Sequence, residues 1–260
     1  IAGAEIRPGN RAVIHHVSAY LRPNGGKKNT LYTTASKDYC LTGMVPGSSP
    51  MRLPSGLAKL IAPGWDIVLS VHYQPNGMPQ EDRTSIALEL ADPRAVRQQL
   101  VTRSFMNMDI VLPPNQITEQ RVSWTLEDDY TLHVLYPHMH VRGKSMRFEA
   151  DGEILLNVQP YDFNWQNGYV LSEPRRLAKG TTITCIARFD NTAGNPNNPD
   201  PNQTVRWGDQ STDEMLQATF EVTRTHEDRL AFDWRLLLPF PPLLGLLYFS
   251  FRTFSFRSRR

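Results

Sequence analysis

The chain has 260 residues, of which 40% are hydrophobic, and its 28 basic and 26 acidic side chains give a formal net charge of +2. This length suits one large β domain or two domains of ordinary size. The near balance of charge excludes the strong positive field with which a protein attracts nucleic acid, and only the segment 252–260 is densely basic. The 20 prolines and 16 glycines, with few helix-period patterns, favour short strands joined by turns.

Alternating, β-rich runs recur along the chain, and groups of turn-forming residues separate them. This pattern predicts an all-β protein with antiparallel sandwiches. We place an N-terminal domain at 1–110 and a C-terminal domain at 111–225, with the boundary at the proline-rich segment 112–115. The segment Ala95–Val101, after Asp92-Pro93, is predicted to form a short helix. The predicted strands are 12–21, 66–73, 84–90, 120–126, 131–136, 181–189 and 217–223.

The tail 226–260 contains an uncharged stretch of 16 residues, 236–251, with prolines near its start. A spanning helix needs about 20 apolar residues, so the stretch is short for that role. The basic residues that follow it would place the C-terminus inside and the domains outside. A membrane anchor, a tail packed on the domains and a disordered tail all stay open.

The cellular compartment is not fixed by the cysteines. Cys40 and Cys185 are too few for a disulfide framework, and we expect two buried thiols, since pairing requires strict geometry. No signal peptide is visible, but a strand-like pattern begins almost at once after Ile1. We therefore expect a fragment of a longer polypeptide, whose first sandwich lacks its opening strands.

The segment His138-Met139-His140 is the first candidate metal site. His138 and His140 share one face of a regular strand, because side chains alternate with period two, and His133 then lies on the opposite face as a structural histidine. Met215 is expected on the polar face of its own strand, while Leu216 serves the core. A lone methionine more often fills a gap in a core. Beside two imidazoles, its thioether suits copper, since soft sulfur favours the reduced ion.

A second candidate site contains His15, His16 and His72. Adjacent strand residues point to opposite faces, so His15 and His16 can bind one ion only near a bulge or strand end, or through different ring nitrogens. His72 ends an apolar run just before the turn 75–77. Three imidazoles suit copper and zinc almost equally, so this set alone does not identify its metal.

Two other interpretations compete with copper chemistry. Zinc hydrolysis would use the same histidines, but the sequence has no His-Glu-x-x-His helix and no obvious paired carboxylate. A β-sandwich interaction domain with purely structural histidines would not be expected to sort them into two ligand-like sets. His226, beside two acidic residues, is expected to be solvated.

These residues resemble the copper type II, ascorbate-dependent monooxygenases, the family of peptidylglycine α-hydroxylating monooxygenase and dopamine β-monooxygenase. The resemblance covers residues 7–223, and the loop 190–199 is more similar to bacterial members than to animal ones. It implies two antiparallel jelly-roll-like β-sandwich domains side by side, with a copper on each across a cleft. The motifs that carry it are Arg11-Ala12-Val13-Ile14-His15-His16-Val17, Val71-His72-Tyr73, His138-Met139-His140 with Gly143, and Gly208-Asp209-Gln210-Ser211-Thr212-Asp213-Glu214-Met215.

The resemblance implies a division of labour between the two sites. The copper held by His15, His16 and His72 would store and deliver an electron. The copper held by His138, His140 and Met215 would bind O₂ and activate it to hydroxylate a C–H bond of a small organic substrate. Ascorbate or another one-electron donor, or an upstream redox module, would supply electrons, and the enzyme would work outside the cytoplasm. A copper-binding or electron-relay module without efficient hydroxylation shares every ligand and stays open.

The sequence departs from the family where substrate is bound. Members that act on peptidylglycine have an arginine at the position of Tyr136, a tyrosine at Thr219 and an asparagine at Gln217. Leu216 stands where the family has the cysteine that pairs with the Cys185 position. A peptidylglycine substrate is therefore not expected. Tyr136, Gln217 and Thr219 are instead expected to line a neutral or weakly polar substrate pocket.

Overall fold

The computed structural model describes residues 1–22, 40–45, 47–225, 247–250 and 254–256. Within these ranges the chain forms strands and turns and no helix, so the predicted all-β fold is confirmed. The strands are β1 (Gly3–Arg7), β2 (Ile14–Arg22), β3 (Cys40–Met44), β4 (Met51–Arg52), β5 (Leu57–Ala58), β6 (Asp66–Tyr73), β7 (Gln80–Asp82), β8 (Ser85–Glu89), β9 (Gln98–Gln99), β10 (Val101–Met106), β11 (Val111–Leu112), β12 (Ile117–Thr125), β13 (Tyr130–His138), β14 (Gly143–Ala150), β15 (Glu153–Val158), β16 (Tyr169–Leu177), β17 (Thr182–Asp190), β18 (Val205–Arg206), β19 (Gln217–Arg224), β20 (Leu247–Ser250) and β21 (Phe254–Phe256).

The chain divides into two compact units between Thr102 and Arg103. The N-terminal unit contains the chain up to Thr102 together with the late strands β20 and β21, and the C-terminal unit is Arg103–Thr225. The proline-rich segment at which the sequence placed a boundary lies inside the C-terminal unit, where β11 pairs with β18.

The N-terminal unit is built on two antiparallel sheets. One has the strand order β20-β8-β1-β4 and the other β3-β2-β6, and the short pairs β21-β7 and β5-β9 complete the unit. On β2 the residues Val17, Ala19 and Leu21 are buried and alternate with less buried neighbours, as period two requires. They pack in one core with buried residues of the other sheet, among them Ile6 and Ile86.

The C-terminal unit contains two four-stranded antiparallel sheets, with the orders β10-β19-β13-β16 and β12-β17-β14-β15. Its core lies between them: the ring of Phe148, on β14, meets that of Phe220, on β19, edge to face with centroids 5.5 Å apart. Phe105 stacks on Trp124 with centroids 4.7 Å apart. Such contacts between inner faces define a β-sandwich.

The short helix predicted for Ala95–Val101 is wrong. Asp92 begins a turn in which its carbonyl accepts a hydrogen bond from the Ala95 amide. The amides of Arg97 and Leu100 then bond to the carbonyls of Gly56 and Ala58, and β9 pairs with β5 in parallel. Because these amides find partners in another strand, no helical ladder forms.

The structure describes only short parts of the C-terminal tail, but it describes both cysteines. The predicted hydrophobic segment lies outside the described residues except for β20, and His226 lies outside them as well. In the part of the chain that is described, no helix is long and apolar enough to cross a membrane. Cys185 is a free thiol. Cys185 is buried in the sandwich core, which raises the pKa of its thiol, whereas Cys40 is half-buried at the start of β3.

Candidate metal centres

The structure brings His15, His16 and His72 together at one end of the β2–β6 pair. His16 lies directly opposite His72, and the register of the pair shifts between Ile14 and His16. Such an irregularity is one of the ways in which the sequence allowed adjacent histidines to share an ion, because it releases them from strict alternation. The ring centroids are 5.3 Å apart for His15 and His16, 5.7 Å for His15 and His72, and 4.7 Å for His16 and His72.

The nitrogens of this set suit a first-row metal ion. The Nδ1 atoms of His15 and His16 are 3.1 Å apart, and two nitrogens bound to one ion at about 2.0–2.1 Å each lie about 3 Å from one another. Burial and the neighbouring His72 lower the pKa of His15, which favours the neutral ring that binds metals. Within the described ranges no three His, Cys, Asp or Glu side chains already form a metal cage, so these rings must rotate to share an ion.

The second set lies in the C-terminal unit, where β13 ends at His138 and the chain turns toward β14. The rings of His138 and His140 are 5.3 Å apart and nearly perpendicular, at 88°. His140 is buried with 3% of its surface exposed and Met215 with 7%, while His138 is half-buried. The two imidazoles therefore meet at the edge of a buried region.

The protonation of His138 follows from its partner Gln166. Its Nδ1 lies 2.6 Å from Oε1 of Gln166. The amide of Gln166 is oriented by its Nε2, which donates to the carbonyl of Phe163 at 2.8 Å. Oε1 must then accept, so Nδ1 of His138 carries the hydrogen and the lone pair of the neutral ring is on Nε2.

His140 is held in the same way by a backbone carbonyl. Its Nδ1 lies 3.3 Å from the carbonyl oxygen of Asp213, which can only accept. Nε2 therefore carries the lone pair in this ring as well. A histidine that binds a metal generally donates its other ring hydrogen to a carbonyl or carboxylate, and both histidines of this set show that arrangement.

The residue between them, Met139, is fixed through its backbone. The hydroxyl of Tyr161 accepts a hydrogen bond from the Met139 amide at 2.9 Å and donates one to the Met139 carbonyl at 2.8 Å. Gly143 leaves room for this contact: a Cβ there would lie 2.8 Å from Tyr161 Cδ1 and 2.9 Å from Met139 Cβ. A side chain larger than hydrogen at residue 143 would push the two apart.

A buried carboxylate links the histidines to the methionine. Glu214 is fully buried, and its oxygens accept hydrogen bonds from the amides of His140 at 2.9 Å, Arg142 at 2.6 Å and Met215 at 3.2 Å. Burial raises the pKa of Glu214 to about 8, against the opposing effect of these donors and of the Arg142 charge.

The guanidinium of Arg142 is buried beside this carboxylate, with 2% of the residue exposed. Its Nε donates to Oδ1 of Asn191 at 3.0 Å and its Nη1 to the carbonyl of Thr212 at 2.7 Å. Burial lowers the pKa of Arg142, and the Glu214 charge opposes this effect. The side chain thus ties the turn after His140 to the segment that precedes Met215.

Two predictions about faces are wrong. A bulge in β13 shifts its register between Leu132 and Val134, so the alternation used for this strand does not hold across it. His133 bonds through Nε2 to Thr223 Oγ1 at 3.0 Å, and Thr223 belongs to the same face of β19 as Gln217, the partner of His138. Met215 lies before β19 begins and is buried, so it does not belong to the polar face of that strand.

The predicted pocket residues lie together beside His138. On the β13–β19 pair, Tyr136 is opposite Thr219 and His138 is opposite Gln217. Ser104 of β10 joins them: its Oγ lies 2.7 Å from Thr219 Oγ1 and accepts from Gln217 Nε2 at 2.9 Å. Next to His138, Ser104, Gln217 and Thr219 therefore offer hydroxyl and amide groups, and the buried Glu221 follows further along the same face of β19.

The sequence analysis missed the loop 161–168, which surrounds this site. Tyr161 and Gln166 supply the contacts described above, the ring of Phe163 lies 6.2 Å from that of His140, and Tyr136 packs on Gly168, where a Cβ would lie 2.2 Å from its ring. No periodic pattern marks the loop. Glu214 was included in a motif but given no role, because the acidic pair Asp213-Glu214 looks like an ordinary exposed pair in the sequence.

Comparison with known proteins adds little. No family model matches the chain, and no curated protein matches it. The solved structures that are similar include the infectious bursal disease virus VP2 subviral particle, at 10% identity and a TM-score of 0.17 over 85% of this chain and 55% of that one. The structure of the Gx strain of the same virus is 9% identical, with a TM-score of 0.17, over 86% of this chain and 57% of that one. The chain spans little more than half the length of either, and a TM-score of 0.17 supports no inference.

Proposed function

We propose that the protein is a copper-dependent monooxygenase that uses O₂ and a one-electron reductant to hydroxylate a C–H bond of a small organic substrate. The observation that carries the proposal is the ligand geometry of His138 and His140, whose Nδ1 hydrogens are both committed to oxygen acceptors, so that both Nε2 atoms carry lone pairs. The second imidazole set in the N-terminal unit supports it.

The donor set at the C-terminal site favours copper over zinc. Two imidazoles and the thioether of Met215 would form a mixed nitrogen and sulfur set, which suits an ion that alternates between Cu(II) and Cu(I). Copper held there would supply one-electron chemistry that activates O₂ toward a C–H bond, with ascorbate or a comparable donor as reductant. Zinc hydrolysis would also need a general base, for which this set provides none.

The chain's own residues orient the substrate and the ligands. Gln166 and the Asp213 carbonyl fix the tautomers of the two histidines, and Tyr161 fixes the backbone between them. The neutral groups of Gln217 and Thr219 would bind a hydroxyl, carbonyl or amide of the substrate. An anionic substrate is disfavoured, because these groups provide no positive counter-charge and the acidic residue Glu221 is buried on the same face. Jelly-roll connectivity, an extracytoplasmic location and an upstream electron source belong to the same proposal.

The test is copper stoichiometry with X-ray absorption of the reduced protein, on wild type and Met215→Leu. We expect two coppers per chain and a Cu–S contribution that Met215→Leu removes. Met146→Leu is the matched control, because Met146 is also buried in the C-terminal unit, and leucine conserves volume at a cost of less than about 1.5 kcal/mol. A Cu–S contribution that survives Met215→Leu, or zinc bound in place of copper, would refute the assignment.

Oxygen uptake then separates the hydroxylase from an electron-relay module, which would share every ligand. A panel of neutral alcohols, amides and ketones is added to the copper-loaded, reduced protein. Uptake that depends on the added compound, with a hydroxylated product, supports the monooxygenase. Two coppers without any such uptake would favour the relay module.

A further inference from the structure

We infer that Glu214 is a positioning residue, which holds the backbones of His140 and Met215 in one frame before any metal binds. The metal-related part of this inference rests on the proposed function. The geometric part does not, because it concerns contacts within the chain itself.

The carboxylate joins two segments that are distant in sequence. Oε2 of Glu214 accepts hydrogen bonds from the amides of both His140 and Met215, and Oε1 accepts from the amide of Arg142. One oxygen atom is thus shared by the two ligand-bearing residues. The relative position of their backbones is set by this atom as well as by sheet pairing, since His140 and Met215 both lie outside the strands.

Further contacts join the same two segments on either side of the carboxylate. Arg142 Nη1 donates to the carbonyl of Thr212, and His140 Nδ1 lies within hydrogen-bond distance of the carbonyl of Asp213. The carbonyls of residues 212 and 213 and the side chain of Glu214 therefore all contact the turn 140–142. The Arg142 guanidinium is buried beside the same carboxyl group, so the side chain of Arg142 and that of Glu214 hold the two segments from both sides.

Ligand segments fixed by their surroundings bind metals more tightly and in a defined geometry. His138 lies on β13 and is oriented by Gln166, so it does not depend on Glu214. Loss of the carboxylate should therefore affect Met215 and His140 and spare His138.

The isosteric variant Glu214→Gln removes this function with little change of volume. A glutamine has one acceptor oxygen, and its NH₂ group would face an amide hydrogen at whichever oxygen position it occupies. At least one of the three backbone amides then loses its acceptor. Glu214→Asp keeps both oxygens at a shorter reach and is the conservative rescue. Glu127→Gln is the matched control, because Glu127 also accepts hydrogen bonds in the C-terminal unit, from Trp124 and Tyr130.

The first readout is backbone hydrogen exchange of the metal-free protein. We expect at least one of the His140, Arg142 and Met215 amides to exchange about tenfold faster or more in Glu214→Gln, and core amides such as that of Phe148 to keep the wild-type rate. Glu127→Gln should leave all three site amides unchanged, and Glu214→Asp should lie between wild type and Glu214→Gln. Unchanged exchange at all three amides would overturn the inference whether or not the protein binds copper.

The second readout is X-ray absorption of the reduced, copper-loaded protein. We expect Glu214→Gln to lose the Cu–S contribution while it keeps the copper of the N-terminal set. Faster exchange with an intact Cu–S contribution would show that Glu214 is only structural and would overturn its positioning role. If the wild type binds no copper, the proposed function fails, and the exchange experiment alone decides the inference. If Glu214→Gln does not fold, exchange of the wild type decides: the His140 and Met215 amides should exchange about as slowly as the Phe148 amide, and exchange as fast as in an exposed loop would overturn the inference.

Discussion

Tyr161→Phe tests how the His138-Met139-His140 segment is held. The substitution removes a single hydroxyl, which accepts from the Met139 amide and donates to the Met139 carbonyl. Both backbone groups belong to a residue with no exposed surface. They would lose a partner without gaining contact with water, which is the costly way to break a hydrogen bond.

The magnitude follows from these two groups. A buried donor or acceptor left without a partner costs about 1–3 kcal/mol, so two of them should lower the free energy of unfolding by about 2–6 kcal/mol. Tyr130→Phe is the matched control, because Tyr130 is equally buried but its hydroxyl donates to Glu127, an exposed residue. Since water replaces that lost partner, the control should cost only about 0.5–1.5 kcal/mol.

The assay is urea denaturation of the full chain, followed by the NMR signals of Ala187 and Phe220. Both residues lie in the core of the C-terminal unit, so the transition of the other unit does not enter the measurement. We expect Tyr161→Phe to be the less stable variant by about 1–5 kcal/mol. Equal losses in the two variants would refute the view that the Tyr161 hydroxyl is a buried partner of both Met139 backbone groups.

Two further predictions concern histidines. Gln166→Leu removes the acceptor of the His138 ring hydrogen and should weaken copper binding at the C-terminal site about 10–100-fold. Gln166→Glu retains an acceptor and should bind copper about as tightly as the wild type. Competition with a Cu(I) chelator measures the affinity of each variant, and equal affinities of the two would exclude the tautomer argument. Burial lowers the pKa of His133 in the folded protein below the ordinary value of about 6.5. Between these two pKa values the unfolded chain binds more protons than the folded one, so the free energy of unfolding should fall as the pH decreases through this window. His133→Ala should flatten this dependence in urea titrations at pH 5 to 8 and keep both coppers; loss of one copper would make His133 a ligand.

The strands were predictable because their pattern is local. The run 66–73 was predicted and is observed as β6 with the same bounds, since it is rich in β-branched and apolar residues and contains no proline or glycine. The incorrect helix prediction for 95–101 could not have been avoided from local sequence patterns. Its residues allow a helical turn, and only the partners at Gly56 and Ala58, far away in sequence, decide otherwise.

The candidate ligands of the site were predictable from the sequence, but the residues that hold those ligands in place were not. His-x-His and His-His are visible as motifs, but the bulges beside His16 and His133 follow from pairing with neighbouring strands and reverse what alternation alone would give. Tyr161 and Gln166 act through single contacts from a loop without a period. A sequence shows such residues only as ordinary polar and aromatic side chains.

The pairing of the last strands has a consequence for the order in which the chain is completed. β20 pairs with β8 and β21 with β7, and the whole C-terminal unit lies between them in sequence. During synthesis β8 therefore presents an open edge until residues 247–250 have left the ribosome, and an open edge pairs readily with strands of other chains. Domains commonly finish folding from the N-terminus onward. Here all strands of the C-terminal unit are synthesised before the N-terminal unit receives its last strands. A nascent chain, or one truncated before residue 247, is therefore most exposed to aggregation at the open edge of β8.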